Sequence, residues 1–324
     1  MGNNLEFKEL TREFRMGSMI FGSRITAVDH VSLKIESDKP WIMSIVGESG
    51  SGKTTLARML LRLLEPSSGE IFIDDTPLSA YSKNKKQFYR KVQPIFQNPF
   101  TSFSARRTVE SYLFETAVNL EVAKNRAEAK DVVVNALHSV GLDYEQVKGK
   151  YTAQFSGGEL QRISVARALI PKPALILADE PVAMIDASMR MNIVNLFKSL
   201  KTGYNVSFIY ITHDLSTAYY VSNYIATLYR GNLVEFGNAQ EVLNNPAHPY
   251  TELLLESIPR VGKLWDDAKV LPDIESREYR LGACKLVSRC PYAKEICGKK
   301  KPGMTDLSPE HRVLCYKYNN YNAT

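Results

Sequence analysis

The chain has 324 residues, 44% apolar and 23% charged, and its 41 Lys and Arg outnumber 35 Asp and Glu for a formal charge of +6. This apolar content excludes a disordered, collagen-like or low-complexity protein and supplies a large core. No apolar run approaches the roughly 18 to 20 residues that span a bilayer, and MGNNLEFKEL lacks a secretion signal's basic-then-apolar pattern, so the sequence reads as soluble and intracellular.

In chain order, Val31, Leu33 and Ile35 alternate as in a strand, although the residues before them alternate poorly. Trp41–Val46 is a short apolar run closed by Gly47, the pattern of a buried parallel strand. Thr55–Leu64 carries Leu56, Met59, Leu60, Leu63 and Leu64 at helical spacing, with a stop at Pro66–Gly69 and a strand at Glu70–Asp74. One basic group lies at Lys83–Lys91 and another at Lys299–Lys301; solvated faces explain them as well as a binding patch does. Val109 to about Val140 is helical in composition, broken by the charged stretch Glu121–Asp131. Ala174–Ala178 and Phe208–Thr212 are further buried strands, and the alternation predicts an α/β fold with a largely parallel sheet. Asn244 to about Pro259 reads as the exit from this core into a charged tail that holds all four cysteines.

Gly47-Glu48-Ser49-Gly50-Ser51-Gly52-Lys53-Thr54 satisfies G-x-x-x-x-G-K-[ST] between a predicted strand and a predicted helix. Glycines let the backbone wrap a phosphate with its N–H groups inward, and the helix that follows turns its positive end to the same anion. Lys53 is then the counter-charge for the phosphates, Thr54 the hydroxyl ligand of Mg²⁺, and Thr55 belongs to the same nucleotide-contacting set. Downstream, Ala174–Glu180 is an apolar strand ending in two acids, which a parallel sheet delivers to the ligand crevice. Asp179 is the candidate Mg²⁺ ligand and Glu180 the candidate base for the attacking water. Between them, Ser156-Gly157-Gly158-Glu159 precedes an apolar helical stripe, a capping-box signature of a helix start.

With these elements in this order, the chain resembles the ATP-binding subunits of ABC transporters over residues 5 to 240, and Ser156–Arg162 resembles the ABC signature. The resemblance implies a P-loop ATPase core at 1–243, with a helical subdomain at about 98–170. It also implies that Ser156, Gly157, Gly158 and Glu159 meet ATP held by an opposite subunit. Gln97 is similar to the family's Mg²⁺-sensing glutamine, His213 to its switch histidine, Asp186 to its D-loop aspartate and Phe14 to the aromatic on adenine. Two departures stand out: Glu159 replaces a glutamine, and Ala183-Met184-Ile185-Asp186 lacks the usual D-loop serine. The implied reaction is in-line attack of water on the γ-phosphate, with Lys53 and Mg²⁺ neutralising charge and Glu180 as base.

Asn245–Pro259, with Pro-Ala-His248-Pro-Tyr250, resembles the exit segment of oligopeptide/dipeptide importer ATPases, a family that also includes nickel and oligosaccharide importers. Cys284, Cys290, Cys297 and Cys315 fall as C-x5-C-x6-C-x17-C in the extension 244–324. Four thiolates can converge on Zn²⁺ or on an iron–sulfur cluster, and the resemblance implies [4Fe–4S], with Zn²⁺ as the alternative. Met16–Gly22 and Leu61–Gly69 are similar to the second of the two paired ATPases of such importers. The implied partners are a related ATPase, two permeases contacted through about Asn98–Arg107, and, indirectly, an external solute-binding protein. Nucleic acid is not among them, and the implied location is peripheral, on the cytoplasmic membrane face. A soluble ABC ATPase of DNA or ribosomes would carry tandem units or a coiled-coil insertion, and a metal-binding regulator would bind nucleotide without turnover.

Overall fold

The computed structural model describes residues 4–16, 23–257, 278–279 and 281–319. Its strands are β1 (Leu5–Met16), β2 (Ser23–Ile35), β3 (Ile42–Val46), β4 (Ser68–Ile73), β5 (Thr76–Pro77), β6 (Val92–Ile95), β7 (Leu175–Asp179), β8 (Ser207–Ile211), β9 (Tyr224–Tyr229), β10 (Asn232–Asn238), β11 (Met304–Ser308) and β12 (His311–Leu314). Its helices are α1 (Lys53–Leu60), α2 (Lys85–Lys91), α3 (Val109–Asn119), α4 (Arg126–His138), α5 (Tyr144–Val147), α6 (Gly157–Leu169), α7 (Ala187–Tyr204), α8 (Leu215–Val221), α9 (Ala239–Asn244) and α10 (Pro249–Glu256). They divide between two compact units.

The first unit comprises Glu36–Ile42 and Thr76–Ile211. Its sheet runs β8-β7-β6 in parallel, and its strands are apolar because helices need to cover them. Along α7, Ile193, Val194, Phe197 and Leu200 are buried, with the Phe197 ring 5.1 Å from that of Phe208. The helices α3, α4 and α6 pack on one another in the same unit. The single predicted helical segment is split there: α3 ends at Asn119, and Asn125 restarts the chain by accepting the Glu128 N–H at 3.0 Å as the N-cap of α4.

The second unit comprises Asn4–Ile35, Met43–Asp75 and Thr212–Thr324. One sheet runs β2-β1-β4, antiparallel throughout; the other runs β11-β12-β10-β9-β3, with only β3 and β9 parallel. The first half of β1 alternates poorly in sequence because bulges interrupt it: Leu5 and Phe7 are buried, the register shifts near Glu9 (φ +46°), and Leu10 takes the next buried place. The α/β class is as expected, and the pairs β6-β7, β7-β8 and β3-β9 are parallel as expected of its core; antiparallel pairing is added by the N-terminal strands and by β10, β11 and β12. The tail is also more than a linker, since its hairpin β11-β12 adds to β10 through Glu235↔Val313 and Gly237↔His311.

The helix expected through Leu64 stops at Leu60. Arg62 turns left-handed at φ +55°, the N–H groups of Leu63 and Leu64 both return to the Arg58 carbonyl, and Leu63 is 57% exposed instead of facing the core. Of the segment Met16–Gly22, residues 17–22 lie outside the described residues, as do 258–259 of the exit segment.

Candidate active site

In the second unit, every residue of β3 is buried, and the strand empties into the loop Gly47–Gly52. A Cβ on Gly47 (φ +147°) would stand 2.2 Å from the Leu228 carbonyl oxygen, and one on Gly52 (φ +110°) 2.5 Å from that of Ala27. Neighbouring backbone therefore approaches too closely for any side chain at these positions, and the glycines of the motif are sterically required. The loop closes on itself through Ser51 N–H to the Glu48 carbonyl, 3.1 Å. The buried Lys53 ammonium donates to the carbonyls of Gly47 (2.6 Å) and Glu48 (2.8 Å) and to Ser51 Oγ (3.4 Å). Thr54 is exposed on the first turn of α1 and Thr55 half-buried; Ser49 and Gly50 are exposed at the loop tip.

Glu48 is engaged differently from its motif neighbours. Its N–H donates to the Tyr250 hydroxyl at 2.7 Å, and its carboxylate accepts two bonds from Arg289, 3.1 and 3.2 Å. Both of its recognition groups are thus taken by C-terminal residues. Burial pushes the Tyr250 phenol well above its usual range. Burial opposes the Arg289 charge, but hydrogen bonds to Glu48 and Tyr229 hold that guanidinium firmly protonated.

His213 also belongs to this unit, exposed in the turn after Thr212, whose N–H bonds to the Ile45 carbonyl at 3.3 Å. Asp214 caps α8 through the N–H groups of Ser216 and Thr217 and so fixes the turn that presents the histidine. Phe14 on β1 is 36% exposed, with the Arg12 guanidinium 4.9 Å from its ring centre. It is an aromatic platform already backed by a cation.

The first unit holds the acids. Asp179 closes β7, and Glu180 follows in a left-handed conformation (φ +43°), its N–H bonded to the Ile211 carbonyl at 2.9 Å. That conformation disfavours an ordinary side chain, which marks a position held by its surroundings. Gln97 Nε2 donates to Glu180 Oε2 at 2.8 Å, bringing the predicted glutamine and the predicted base together.

The expected capping box is present at α6: Ser156 Oγ accepts the Glu159 N–H at 3.3 Å, and Glu159 Oε2 accepts from the Ser156 N–H and hydroxyl, each at 2.8 Å. Those bonds hold the Glu159 carboxyl below its ordinary pKa. Glutamate at the third helical position is therefore well suited to the place. A Cβ on Gly157 would lie 3.2 Å from the Met184 carbonyl, so the signature turn abuts the D-loop segment. Ser156 and Asp186 are exposed, and Asp186 is the N-cap residue of α7.

The four cysteines, all free thiols, line one small pocket together with His248 and Lys317. Cys284 N–H bonds to the Cys297 carbonyl at 3.0 Å, and the Lys294 and Lys317 N–H groups approach Cys297 Sγ and Cys315 Sγ at 3.4 and 3.5 Å. Burial pushes the Cys284 thiol up to about 11 and raises Cys290 and Cys315 too, which favours neutral thiols here. Among the described residues, no group of three or more His, Cys, Asp or Glu side chains is placed to hold a metal ion. Four sulfurs around one pocket are the donor set of either a Cys₄ zinc site or an iron–sulfur cluster, but the arrangement of these described residues is not placed to hold a metal ion of either kind.

The ABC transporter family model matches residues 28–183, and the model of the oligopeptide/dipeptide transporter C-terminal region matches residues 234–297. The oligopeptide transport ATP-binding protein AppF of Bacillus subtilis is 34% identical over 97% of this chain and 97% of its own length. The chain belongs to the ABC transporter ATPases, with the oligopeptide/dipeptide type of C-terminal region. A further relative of this ABC ATPase is the oligopeptide transport protein AmiF of Streptococcus pneumoniae, 33% identical over 95% of this chain and 94% of that protein. Among solved structures, the post-hydrolysis dimer of the cassette MJ0796 bound to ADP and phosphate matches with a TM-score of 0.63 and 26% identity, over 72% of this chain and 98% of that one. Clostridium perfringens cbiO1 matches with a TM-score of 0.64 and 25% identity, over 74% of this chain and 90% of that one. Among the described residues of the ABC ATPase, no helix is long and apolar enough to cross a membrane.

Sequence reasoning passed over Tyr250, Tyr279 and Arg289 as neighbours of the phosphate loop. Tyr250 sits in the quoted exit segment, which was the available signal; nothing local to residues 279 or 289 points to a loop more than two hundred residues away.

Proposed function

We propose that this ATPase powers solute import of the oligopeptide/dipeptide class, as one of two related ATP-binding subunits working on a pair of membrane permeases at the cytoplasmic face. In this reading residues 1–243 form the ATPase domain, with a helical subdomain at about 98–170, and 244–324 the importer-type extension. The observation that carries it is the loop Gly47–Gly52 folded around the Lys53 ammonium, joined to sequence relatives that cover 95% or more of the chain and bear oligopeptide transport names.

The roles follow from chemistry. Lys53 and the loop N–H groups neutralise phosphate charge, Thr54, Asp179 and Gln97 serve Mg²⁺, and Phe14 stacks on the base. Glu180, held by Gln97, accepts the proton of the attacking water, and His213 steadies the γ-phosphate. Ser156, Gly157 and Gly158 offer their partly exposed helix start to the nucleotide of the related subunit, and Asp186 serves the same site from the D-loop; a subunit working alone would lack that half of the site. Permease docking at Asn98–Arg107 is supported by a groove lined by Gln93, Phe96, Ser102 and Arg167, with Phe96 and Phe100 exposed at 44% and 45%. A [4Fe–4S] cluster in the four-cysteine pocket is supported by the donor set alone; when bound it would staple the extension, and iron and sulfide analysis near four per chain tests it.

The decisive test is calorimetry of the folded chain with Mg-ATP and Mg-ADP, followed by peptide uptake in vesicles containing both permeases and both ATPases. Saturable nucleotide heat and ATP-dependent uptake are expected. A folded sample without nucleotide heat would refute the ATPase site, and ATP hydrolysis that never moves peptide would refute the cargo class.

A further inference from the structure

We infer that the C-terminal extension is a brace on the phosphate loop, and that Arg289, Tyr279 and Tyr250 are positioning residues for nucleotide binding; this deepens the ATPase reading and rests on it. Three separate contacts converge on two loop residues. The Tyr250 hydroxyl accepts the Glu48 N–H at 2.7 Å, Arg289 clamps the Glu48 carboxylate through both terminal nitrogens, and the Tyr279 hydroxyl donates to the Gly50 carbonyl at 2.8 Å. Tyr279 is itself held by Arg230 Nη1 at 2.8 Å.

The dependence runs in both directions. Arg289 has only 3% of its side chain exposed, so it needs a carboxylate partner to be buried there, and the loop's Glu48 is that partner. Gly50 is left-handed at φ +77°, and a Cβ on it would lie 2.5 Å from the Tyr279 hydroxyl, so the loop tip has no side chain exactly where the extension arrives. A loop whose N–H groups must be preset for an anion gains from having its outer face fixed, because unbound freedom would otherwise be lost on binding. Arg289 also adjoins Cys290, so whatever orders the four-cysteine segment orders this contact.

The test uses the full chain carrying Arg289→Gln, Tyr279→Phe, Glu48→Gln or the double Glu48→Gln/Arg289→Gln. Each is measured for amide exchange of the peptide spanning 47–52 and for Mg-ADP affinity. Arg312→Ala, a change at an exposed ion pair in β12, is the control. Arg289→Gln should speed loop exchange and raise the Mg-ADP Kd, each about tenfold, and Tyr279→Phe should do so severalfold. The double variant should be no worse than Arg289→Gln, because the two singles remove one interaction. The brace is overturned if loop exchange and affinity stay at the parental and Arg312→Ala values while only exchange in residues 281–319 rises, which is what a purely structural tail predicts. Parental protein that binds no Mg-ADP would sink the ATPase reading, while loop exchange would still decide the brace. If Arg289→Gln fails to fold, Tyr279→Phe, which retains the ring, decides alone.

Discussion

The phosphate loop and the signature turn are both anion-binding designs, yet they are built oppositely. Gly47–Lys53 is enclosed: Lys53 is spent on the loop's own carbonyls and Glu48 on the extension, so its geometry is set within one chain. Ser156 and Glu159 are exposed, with Gly157 and Gly158 half-buried between them, and the turn is capped by its own two side chains. On the function proposed above, the enclosed site binds unaided, whereas the open one contributes only when another molecule brings phosphate to it. Binding and turnover should therefore separate when the two regions are altered one at a time.

Glu180→Gln gives the largest separation. With the glutamine at 97 still able to bond the new amide, nucleotide affinity should be unchanged, while hydrolysis by the assembled transporter falls on the order of a thousandfold. Parental turnover in that variant would remove Glu180 from proton transfer. Lys53→Met should do the reverse in the isolated chain, weakening Mg-ADP about ten- to a hundredfold by calorimetry, since a charge-assisted set of bonds is lost. Equal affinity would mean that the loop does not bind phosphate.

Acid should also distinguish the regions. Burial lowers the His248 pKa from 6.5 to about 4, so the folded chain keeps this imidazole neutral while the unfolded chain protonates it. Stability should then be fully present above pH 6.5 and fall as pH drops from there toward 4, by up to about 3 kcal/mol from this group. The Glu159 carboxyl has a lowered pKa, so its contribution persists to lower pH and is lost only as pH falls through that folded value, below 4.5. His248→Asn, which can still accept the Tyr250 N–H at the head of α10, should flatten the thermal-midpoint curve between pH 6.5 and 4.5. An unchanged slope would assign the acid sensitivity elsewhere.

What the sequence disclosed follows the range of each interaction. The phosphate loop and the capping box are set by residues a few positions apart, so spacing alone pointed to them. The Gln97–Glu180 bond spans 83 positions, and only the family resemblance suggested those two residues together. The contacts of Tyr250, Tyr279 and Arg289 with the loop span 202 to 241 positions and have no periodic trace. Helical spacing also misled at Leu63, because it counts apolar residues without registering that Arg62 turns the chain left-handed. The hairpin β11-β12 was illegible for a related reason: Met304 and Leu307 are substantially exposed, so β11 lacks a buried stripe and is a strand only by its pairing with β12.

The smallest effect tests the open region on its own terms. Ser156→Ala removes the hydroxyl that accepts the Glu159 N–H and donates to its carboxylate, but leaves the Ser156 N–H on Glu159 Oε2. Losing one half of a capping box costs about 1 kcal/mol, a fall of about 2 °C in the thermal midpoint for a chain of this size. Ser156→Asn, which supplies another cap acceptor, should recover most of that loss. Nucleotide affinity of the isolated chain should not move in either variant, because no hydrogen bond of the loop Gly47–Lys53 described above involves Ser156. A drop in affinity approaching that of Lys53→Met would mean that the exposed turn already shapes nucleotide binding within one chain, and the division of labour between the enclosed and open regions would fail.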